Sequence, residues 1–361
     1  MKVLLLAGEE SGVLYAERIR AALPAGTEVR GYADCGFGTG DLAVMGFWAV
    51  LKRIFFFLRV KRTMEKLIAY WRPDVVCTVD YPGLNLALAH YAKRRGIRTV
   101  HVVCPQVWAW KKGRIPKIEA SVDHLCCFFP FEPGYFKPGF AEFVGHPLVV
   151  NGVVASDASF ESGTLAMLPG SRHDEIVRNL PAMLEAFRRL RARGGRFAAL
   201  RACIPAANDA AFELITSMTD GQNAVEVTHG GARDLMRRAE CAVVASGTAT
   251  LEAALARCPT VLVYRVSALL AWFARRVIKE IRHVGLANIV AEKAGVEPPM
   301  PELLQEAFTA ENVARQIGAW MGDPVLREKA AAALDRTKVL LKCDGDPIAR
   351  IAEICGADTA A

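Results

Sequence analysis

Short apolar runs alternate with longer helical patterns from one end of the chain to the other. This alternation predicts parallel strands covered by helices, and it argues against a barrel of meandering strands. In the first half, the strand candidates are Val3–Ala7, Val75–Val79, Thr99–Val103, His124–Phe129 and Phe143–Gly145. In the second half, they are Thr164–Leu168, Phe197–Ile204, Val225–Val227, Cys241–Ala245 and Thr260–Val266. The predicted fold class is therefore α/β with doubly wound parallel sheets.

The chain of 361 residues exceeds what one hydrophobic core usually holds. Residues Asn151 to Gly163 are small and polar, with glycine and serine among them, as is typical of a linker. We therefore predict two Rossmann-like domains, 1–150 and 151–361. A cleft is expected between the carboxyl ends of their sheets, where open α/β sheets bind ligands. The tail from about Glu302 onward reads as helices, the last of which can pack back on the first domain.

The composition indicates the cellular compartment of the protein and bears on whether it binds a metal or another cofactor. No apolar run is long enough for a spanning helix, and the N-terminus lacks the pattern of a signal peptide, so we expect a cytosolic or peripheral protein. The ten cysteines are scattered, and several lie in strand-like runs, which indicates buried thiols in a reducing compartment. No Cys/His cluster has metal-ligand spacing, and Asp344-Gly345-Asp346 reads as a turn, so neither metal nor another cofactor is expected.

The net charge of +7 fits an anionic partner but does not name it. One segment, residues 42–62, interleaves aromatic and aliphatic residues with five basic ones. This composition favours an amphipathic helix at an anionic lipid surface, and the aromatic contacts would be Phe47, Trp48, Phe55, Phe56 and Phe57. The alternative is a core helix with basic residues at its margin. Nucleic-acid binding is not supported, because the basic residues form no recognised module.

Two turns follow strands of the first half. Gly8-Glu9-Glu10-Ser11 comes after the first strand and brings backbone N–H groups to the sheet edge, although Ser11 can equally be a helix cap. Asp80 follows Val75–Val79. A carboxylate at such a strand end can act as a general base when partial burial raises its pKa, or it can cap the following helix. The residues alone do not decide between these roles.

A loop after the third strand combines Trp108 and Trp110 with three cations between residues 111 and 114. The rings can stack on a sugar or pack an acyl chain, and the cations can meet phosphate. Tryptophans in loops also fill domain interfaces. His101 and His146 are ambiguous, because a single histidine is more often structural than catalytic.

The clearest anion site lies in the second half. Gly170-Ser171-Arg172 follows a strand, and the spacing of Ser171 and Asp174 predicts a capping box at the next helix. Gly170 lets the backbone approach a ligand, and the guanidinium fork of Arg172 suits a diphosphate. At a second strand–helix junction, Ser246-Gly247-Thr248, small residues leave N–H groups available to a phosphate, and Glu252 is placed to accept ribose hydroxyls.

At these residues the chain resembles the lipid-A-disaccharide synthases, a family of inverting glycosyltransferases with the two-domain fold called GT-B. The matching blocks run in order through most of the chain. They are Ala7-Gly8-Glu9 with Ser11-Gly12, Leu42 to Gly46, Pro73-Asp74-Val75 with Asp80, Pro82 and Asn85, Val107 to Trp110, Pro130-Phe131-Glu132, Gly145 to Leu148, Leu168 to Arg172 with Glu175, Ala245 to Ala249 with Leu251-Glu252, Leu286 with Asn288, and Pro301-Glu302-Leu303 with Gln305.

The resemblance implies that UDP-2,3-diacylglucosamine donates its sugar to the 6-hydroxyl of 2,3-diacylglucosamine 1-phosphate, with release of UDP, in lipid A biosynthesis. It also implies a role on the cytoplasmic face of the inner membrane, and a homodimer is left open. The roles implied for individual residues are as follows: Asp80 as base, Glu9 and Ser11 on the acceptor side of the catalytic site, Trp108, Trp110, His101 and Asn85 along the acceptor cleft, Gly170, Ser171 and Arg172 at the donor diphosphate, Ser246, Gly247, Thr248 and Glu252 around UDP, and Asn288 at the nucleotide.

This chain departs from the family pattern beside the expected cleft. Val13 and Gly83 stand where the family usually has Asp, Leu286-Ala287-Asn288 replaces Leu-Pro-Asn, and Cys104-Pro105-Gln106 replaces Ser-Pro-Ser. The glycine-rich region 31–40 is shortened. Two alternatives therefore stay open: a UDP-N-acetylglucosamine 2-epimerase-like enzyme on the same fold, and a non-catalytic lipid-binding paralogue.

Overall fold

A computed structural model describes residues 1–38, 42, 54–109, 112–150, 160–266 and 282–356. The chain divides into two compact units, one of Met1–Val150 with Leu341–Ala361 and one of Asn151–Leu340. Each unit contains a six-stranded sheet whose strand pairs are all parallel. Purely parallel sheets need helices on both faces, which agrees with the alternation in the sequence.

The sheet of the first unit has the strand order β2-β1-β3-β4-β5-β6. Its strands are β1 (Lys2–Ala7), β2 (Glu28–Arg30), β3 (Val75–Val79), β4 (Arg98–Val102), β5 (His124–Cys127) and β6 (Ala141–Phe143). Its helices are α1 (Glu10–Ala22), α2 (Ile54–Trp71), α3 (Pro82–Lys93), α4 (Ile115–Ser121), α5 (Pro147–Val150) and α13 (Pro347–Gly356). The core on one sheet face includes residues of α1 and α13, so the chain's last helix packs in the first unit. The other face is covered by α2, α3 and α4.

The sheet of the second unit has the order β12-β11-β10-β7-β8-β9. Its strands are β7 (Glu161–Leu168), β8 (Arg201–Ala206), β9 (Val225–His229), β10 (Ala239–Ala245), β11 (Thr260–Tyr264) and β12 (Glu302–Leu304). Its helices are α6 (His173–Ala192), α7 (Asp209–Thr219), α8 (Ala232–Arg238), α9 (Thr248–Leu255), α10 (Leu286–Lys293), α11 (Ala310–Gly322) and α12 (Pro324–Leu341). Because β7 and β10 are neighbours, the loops that follow them meet at one edge of this sheet.

Several expected boundaries need correction. The segment taken as a linker overlaps β7, which already begins at Glu161, and the tail expected to be helical begins with β12 at Glu302. The expected strand from Phe197 begins only at Arg201, after a 3₁₀ turn. The short edge strand β2 was not predicted at all.

The described part of the expected lipid-binding segment is Leu42, which is buried in the core, and residues 54–62 of helix α2. Phe55 is 83% exposed, and Ile54 and Leu58 are also exposed. Phe56 and Phe57, however, pack against the core that includes Met64 and Ile68. Of the three phenylalanines predicted to contact lipid, Phe55 is therefore the exposed one, while Phe56 and Phe57 are partly buried because α2 turns them toward the sheet. Phe47 and Trp48 lie outside the described residues.

Candidate functional site

Asp80 lies at the carboxyl end of β3, at the point where the chain turns into α3. The backbone of both Asp80 and Tyr81 is left-handed, with φ of 49° and 51°, a conformation that costs a non-glycine residue free energy. The Oδ1 atom of Asp80 accepts a hydrogen bond from the N–H of Tyr81 at 2.8 Å, so the side chain does not cap α3. Burial raises the pKa of the Asp80 carboxyl, and the Tyr81 hydrogen bond opposes that rise. A half-buried carboxyl with a raised pKa suits a general base.

The strained turn is held by the amide of Asn85 in the first turns of α3. Its Nδ2 donates to the carbonyl oxygens of Asp80 at 2.8 Å and Val79 at 3.1 Å, and to that of Leu6 at 3.2 Å. Its Oδ1 accepts from the Tyr32 hydroxyl at 2.6 Å. Asn85 is completely buried with both amide atoms engaged. The expectation that it lines an acceptor cleft is therefore corrected: Asn85 positions the Asp80 turn from behind.

Gly8 and Tyr81 meet in front of the same sheet edge. A Cβ atom on Gly8 would lie 2.6 Å from the Tyr81 ring, so only glycine allows this approach. The Tyr81 hydroxyl donates to the carbonyl oxygen of Leu42 at 3.0 Å. Glu9 is the extended N-cap residue of α1, and the helix already includes Ser11, which corrects the expectation that Ser11 caps it. The Ser11 side chain lies outside the described part of the structure.

His101 lies in the middle of the core on β4 and is wholly buried. Its Nδ1 is 2.7 Å from the Thr78 hydroxyl on the neighbouring strand, and its Nε2 has no hydrogen-bond partner among the described residues. Burial lowers the pKa of His101 to about 3. Because the ring is wholly buried between neighbouring strands, His101 is corrected from a cleft residue to a structural one.

Trp108 is also enclosed, with 2% of its surface exposed. Its Nε1 donates to Oε1 of Glu132 at 3.0 Å, and its ring meets Phe131 edge-on. The expectation that this ring stacks on a sugar is therefore not met, because the ring is buried and its N–H is engaged by Glu132. Trp110 lies outside the described residues.

Glu132 also belongs to a buried group that the sequence spacing does not reveal. Cys104, Cys127 and Glu132 each have one side-chain atom of a kind that binds metal ions, and these three atoms lie within 4.8 Å of one another. The Glu132 oxygens already accept hydrogen bonds from Trp108 and from the N–H of Phe129. Burial raises the pKa of Glu132 to about 8. The Glu132 carboxyl thus already has its hydrogen-bond partners within the protein.

In the second unit, the loop after β7 carries Gly170, Ser171 and Arg172. Gly170 has a φ of 119°, and a Cβ there would meet the Glu175 side chain at 2.6 Å. Glu175 accepts from the backbone N–H of Ser171 at 3.3 Å and from the Arg172 guanidinium at 2.8 Å. Helix α6 begins at His173 with Arg172 as its N-cap residue, so the predicted capping box of Ser171 and Asp174 is wrong. The carboxylate of Glu175 performs the bracing instead.

The loop after β10 carries Ser246, Gly247 and Thr248, and the last two are exposed. Gly247 precedes α9 with a φ of 155°, and Thr248 is the first residue of that helix. The Ser246 hydroxyl donates to the carbonyl oxygen of Val284 at 3.0 Å. Glu252, one turn into α9, accepts from Arg233 on α8 at 3.2 Å. This junction presents the N-terminus of an eight-residue helix at the edge it shares with the Gly170 loop.

Asn288 is completely buried in α10. Its amide donates to the carbonyl oxygen of Met300 and to Glu302, both at 2.8 Å, and accepts from the N–H of Met300 at 3.0 Å. It therefore does not reach a nucleotide, and that expectation is corrected. Glu302 also accepts from the N–H groups of Val284 and Gly285, so it fixes the loop that receives Ser246.

Sequence reasoning missed Tyr32, Arg233 and Glu302 as site-building residues. Tyr32 lies 53 residues from its partner Asn85, and Arg233 lies 19 residues from Glu252. Glu302 stood in a matching block without an assigned role. Its place in that block was the one available signal, and the structure makes it the first residue of β12.

Two parallel-sheet units with glycine-bearing turns at the carboxyl ends of their strands define the GT-B class of fold. Solved structures confirm that class. The chain superposes on MurG from Acinetobacter baumannii with a TM-score of 0.57 at 11% identity, covering 99% of each chain. The UDP-GlcNAc 2-epimerase of Neisseria meningitidis gives a TM-score of 0.58 at 11% identity, covering 98% of each chain. At these identities the likeness shows the fold alone.

Sequence comparison is more specific. The family described as "Lipid-A-disaccharide synthetase" matches residues 3–331. A lipid-A-disaccharide synthase of Myxococcus xanthus is 36% identical over 342 residues, 88% of this chain and 87% of the relative. That of Syntrophus aciditrophicus is 35% identical over 368 residues, 95% of this chain and 94% of the relative. The chain belongs to the lipid-A-disaccharide synthase family, glycosyltransferases of lipid A biosynthesis, and the predicted family and fold class are confirmed.

Proposed function

We propose that the chain transfers the sugar of UDP-2,3-diacylglucosamine to the 6-hydroxyl of 2,3-diacylglucosamine 1-phosphate and releases UDP. The observation that carries this proposal is the pairing of family membership with Asp80. Its carboxyl stands at a strained strand end and has a raised pKa. Inversion at the donor carbon requires a base to take the proton from the attacking hydroxyl, and a positioned carboxylate typically contributes about 10²–10⁴-fold in rate.

The second unit is proposed to hold the UDP group. Arg172 is 57% exposed and is oriented by Glu175, while Gly170 lets the backbone of this turn approach a ligand and the start of α9 presents a helix N-terminus. A guanidinium fork and a helix N-terminus both stabilise phosphate oxygens. Glu252 is proposed to meet the ribose. Since these groups balance the negative charge of UDP, transfer is expected to tolerate EDTA, and loss of activity that magnesium restores would overturn this point.

Action at the cytoplasmic face of the membrane is proposed from α2. Its exposed residues include the apolar Ile54, Phe55 and Leu58 and the basic Arg59 and Arg62. Apolar insertion and attraction to anionic lipid would act together on that face. Among the described residues, no helix has the length and apolar character needed to cross a bilayer.

The transfer is tested by incubating the purified chain with labelled donor and acceptor and analysing the products. We expect a disaccharide 1-phosphate and one equivalent of UDP. Donor binding without product would support the non-catalytic alternative, and interconversion of the UDP-sugar without an acceptor would support the epimerase.

The lipid contact is tested by sedimentation with anionic vesicles. Replacing Phe55 and Leu58 with Ser should weaken binding, and added salt should weaken it further. The matched control is Tyr70→Ser, since Tyr70 is 90% exposed and lies at the other end of α2. Equal binding by all three proteins would show that α2 is only a surface helix.

A further inference from the structure

A groove of about 530 Å³ lies between α2, α3 and α4 of the first unit. Four basic residues line it, Lys61, His90, Arg114 and Lys117, and none of its described lining residues is acidic. Its apolar floor includes Leu86 and Ile118, which belong to the buried core. A groove that joins cations to an apolar floor fits an amphiphile with a phosphate group.

The basic residues of this groove differ in whether an acidic residue pairs with them. Lys61 has a partner, since its Nζ lies 3.5 Å from Glu65. Within the described part of the chain, Arg114 and Lys117 form no ion pair. Arg114 is partly buried and Lys117 is exposed. A guanidinium and an ammonium left unpaired beside an apolar surface make a site of net positive charge, and an anion is the ligand that it favours.

The groove begins close to the proposed base. Pro82 and Gly83 line it, and they follow Asp80 by two and three positions. Two residues of chain span at most about 7 Å, so the nearest wall of the groove lies within that distance of the Asp80 backbone. Gly83 adds no side chain there, and a Cβ on it would meet no atom within 4 Å. At Gly83, therefore, no side chain fills this end of the groove.

We infer that this groove binds the phosphate of the acceptor, with Arg114 and Lys117 as the residues that select an acceptor phosphorylated at C1. The inference rests on the proposed function, because it takes the acceptor hydroxyl to lie at Asp80. One sugar ring then separates the reacting hydroxyl from the phosphate. The cations act on binding of the acceptor, whereas Asp80 acts on its hydroxyl.

The test compares kcat/KM for 2,3-diacylglucosamine 1-phosphate and for the same compound without phosphate, in neutral detergent micelles. Arg114→Gln and Lys117→Gln should each lower kcat/KM for the phosphorylated acceptor about 10-fold, mainly through KM. They should leave the other acceptor unchanged, so that the preference for phosphate disappears. Arg114→Lys, which keeps the charge, should lose less. The matched control is Arg94→Gln, an exposed cation at the opposite end of α3.

An equal loss with both acceptors, or no loss, would overturn the inference. A loss that appears only on anionic vesicles, and equally for both acceptors, would assign the groove to a membrane phospholipid and overturn it as well. Calorimetric binding of the two acceptors without donor keeps this test separate from the proposed function. If the wild-type chain forms no product but still prefers the phosphorylated acceptor through Arg114 and Lys117, transfer fails while the groove assignment stands.

Discussion

Near the carboxyl ends of β3 and β4 in the first unit, several predicted site residues are buried, whereas those after β7 and β10 in the second unit lie nearer the surface. Asn85, His101 and Trp108 are buried, while Arg172 and Thr248 are exposed. The backbone differs in the same way. Non-glycine residues bear positive φ after β3 and β4, at Asp80, Tyr81 and Val103, whereas glycines, Gly170 and Gly247, bear it after β7 and β10.

This difference fits two kinds of chemistry. A base gains from burial, because exclusion of water raises the pKa of its carboxyl. A diphosphate needs accessible N–H groups and a cation, which glycine turns and a helix N-terminus supply without a buried network. The first unit therefore uses side-chain bracing to hold one strained turn, and the second unit uses backbone to present donors.

The largest effect is expected at Asp80. Asp80→Asn keeps the shape of the side chain but cannot accept the hydroxyl proton, so kcat should fall by about 10²–10⁴-fold. Glu252→Gln is the matched change in the second unit and should mainly raise the KM of the donor. Initial rates measured over a range of donor concentrations give kcat and the donor KM of both variants. A near-normal kcat for folded Asp80→Asn would place the base elsewhere, with Glu9 the next carboxylate to test.

As the pH falls, the first unit should lose stability before the second unit does. Burial lowers the pKa values of His101 and His146 to about 3, from an ordinary value of 6.5. The stability that depends on these neutral rings is present above pH 6.5 and is lost as the pH falls from 6.5 toward 3. At pH 5, each histidine should lower the free energy of unfolding by about 2 kcal/mol, and the two together by about 4 kcal/mol.

Hydrogen exchange read by mass spectrometry checks this order. Between pH 7 and pH 5, the amides of β3 and β4 should lose protection before those of β7 and β10. In the His101→Gln variant, the difference between the two units in acid-induced loss of amide protection should be smaller. Simultaneous loss of amide protection in both units would contradict the prediction that the first unit is the more sensitive to acid.

The sequence already carried much of the fold. Strand β3 was predicted at its observed bounds, Val75–Val79, because all five residues are apolar or small and all are buried. The edge strands β2 and β12 were missed because each has three residues and no continuous apolar run. Local pattern identifies buried central strands far better than short edge strands.

The site was predicted less completely, for a physical reason. Asp80 and the Gly170 and Ser246 loops follow strands, so local pattern predicts their places at the sheet edges. Asn85 and Asn288 each lie near the start of a helix, and the sequence predicts both as ligand contacts. The structure buries them instead: Asn85 pairs with Leu6, 79 residues away, and Asn288 pairs with Met300 and Glu302, 12 and 14 residues away. Pairings of that range are not visible in a local motif.

These two asparagines offer a matched pair of changes. Asn85→Ala leaves the Tyr32 hydroxyl and the Asp80 carbonyl without their partner, and Asn288→Ala does the same to the Met300 backbone. Each should lower the free energy of unfolding by about 3 kcal/mol, since buried polar groups lose their hydrogen bonds. Asn85→Ala should also lower kcat, whereas Asn288→Ala should weaken UDP binding. Denaturant unfolding and steady-state kinetics measure these effects, and the same kinetic defect in both variants would remove the distinction.

A smaller effect is expected at the glycines of the first unit. Gly8→Ala places a Cβ 2.6 Å from the Tyr81 ring and should cost about 2 kcal/mol, with a lower kcat because Tyr81 adjoins Asp80. Gly83→Ala is the control, since a Cβ there meets no atom within 4 Å. Its stability should be unchanged or slightly raised. Thermal unfolding of both variants checks this, and equal stability would show that the Tyr81 ring moves freely.

Calorimetric titration of UDP into the wild type, Asp80→Asn and Arg172→Ala separates the proposed roles of the two units. Asp80→Asn should bind UDP within about twofold of the wild type, because its change lies in the first unit, while Arg172→Ala should bind UDP at least about 10-fold more weakly, having lost a charged hydrogen bond to phosphate. Equal weakening in both variants, or unchanged affinity in Arg172→Ala, would contradict the division between a buried base in one unit and an exposed nucleotide site in the other.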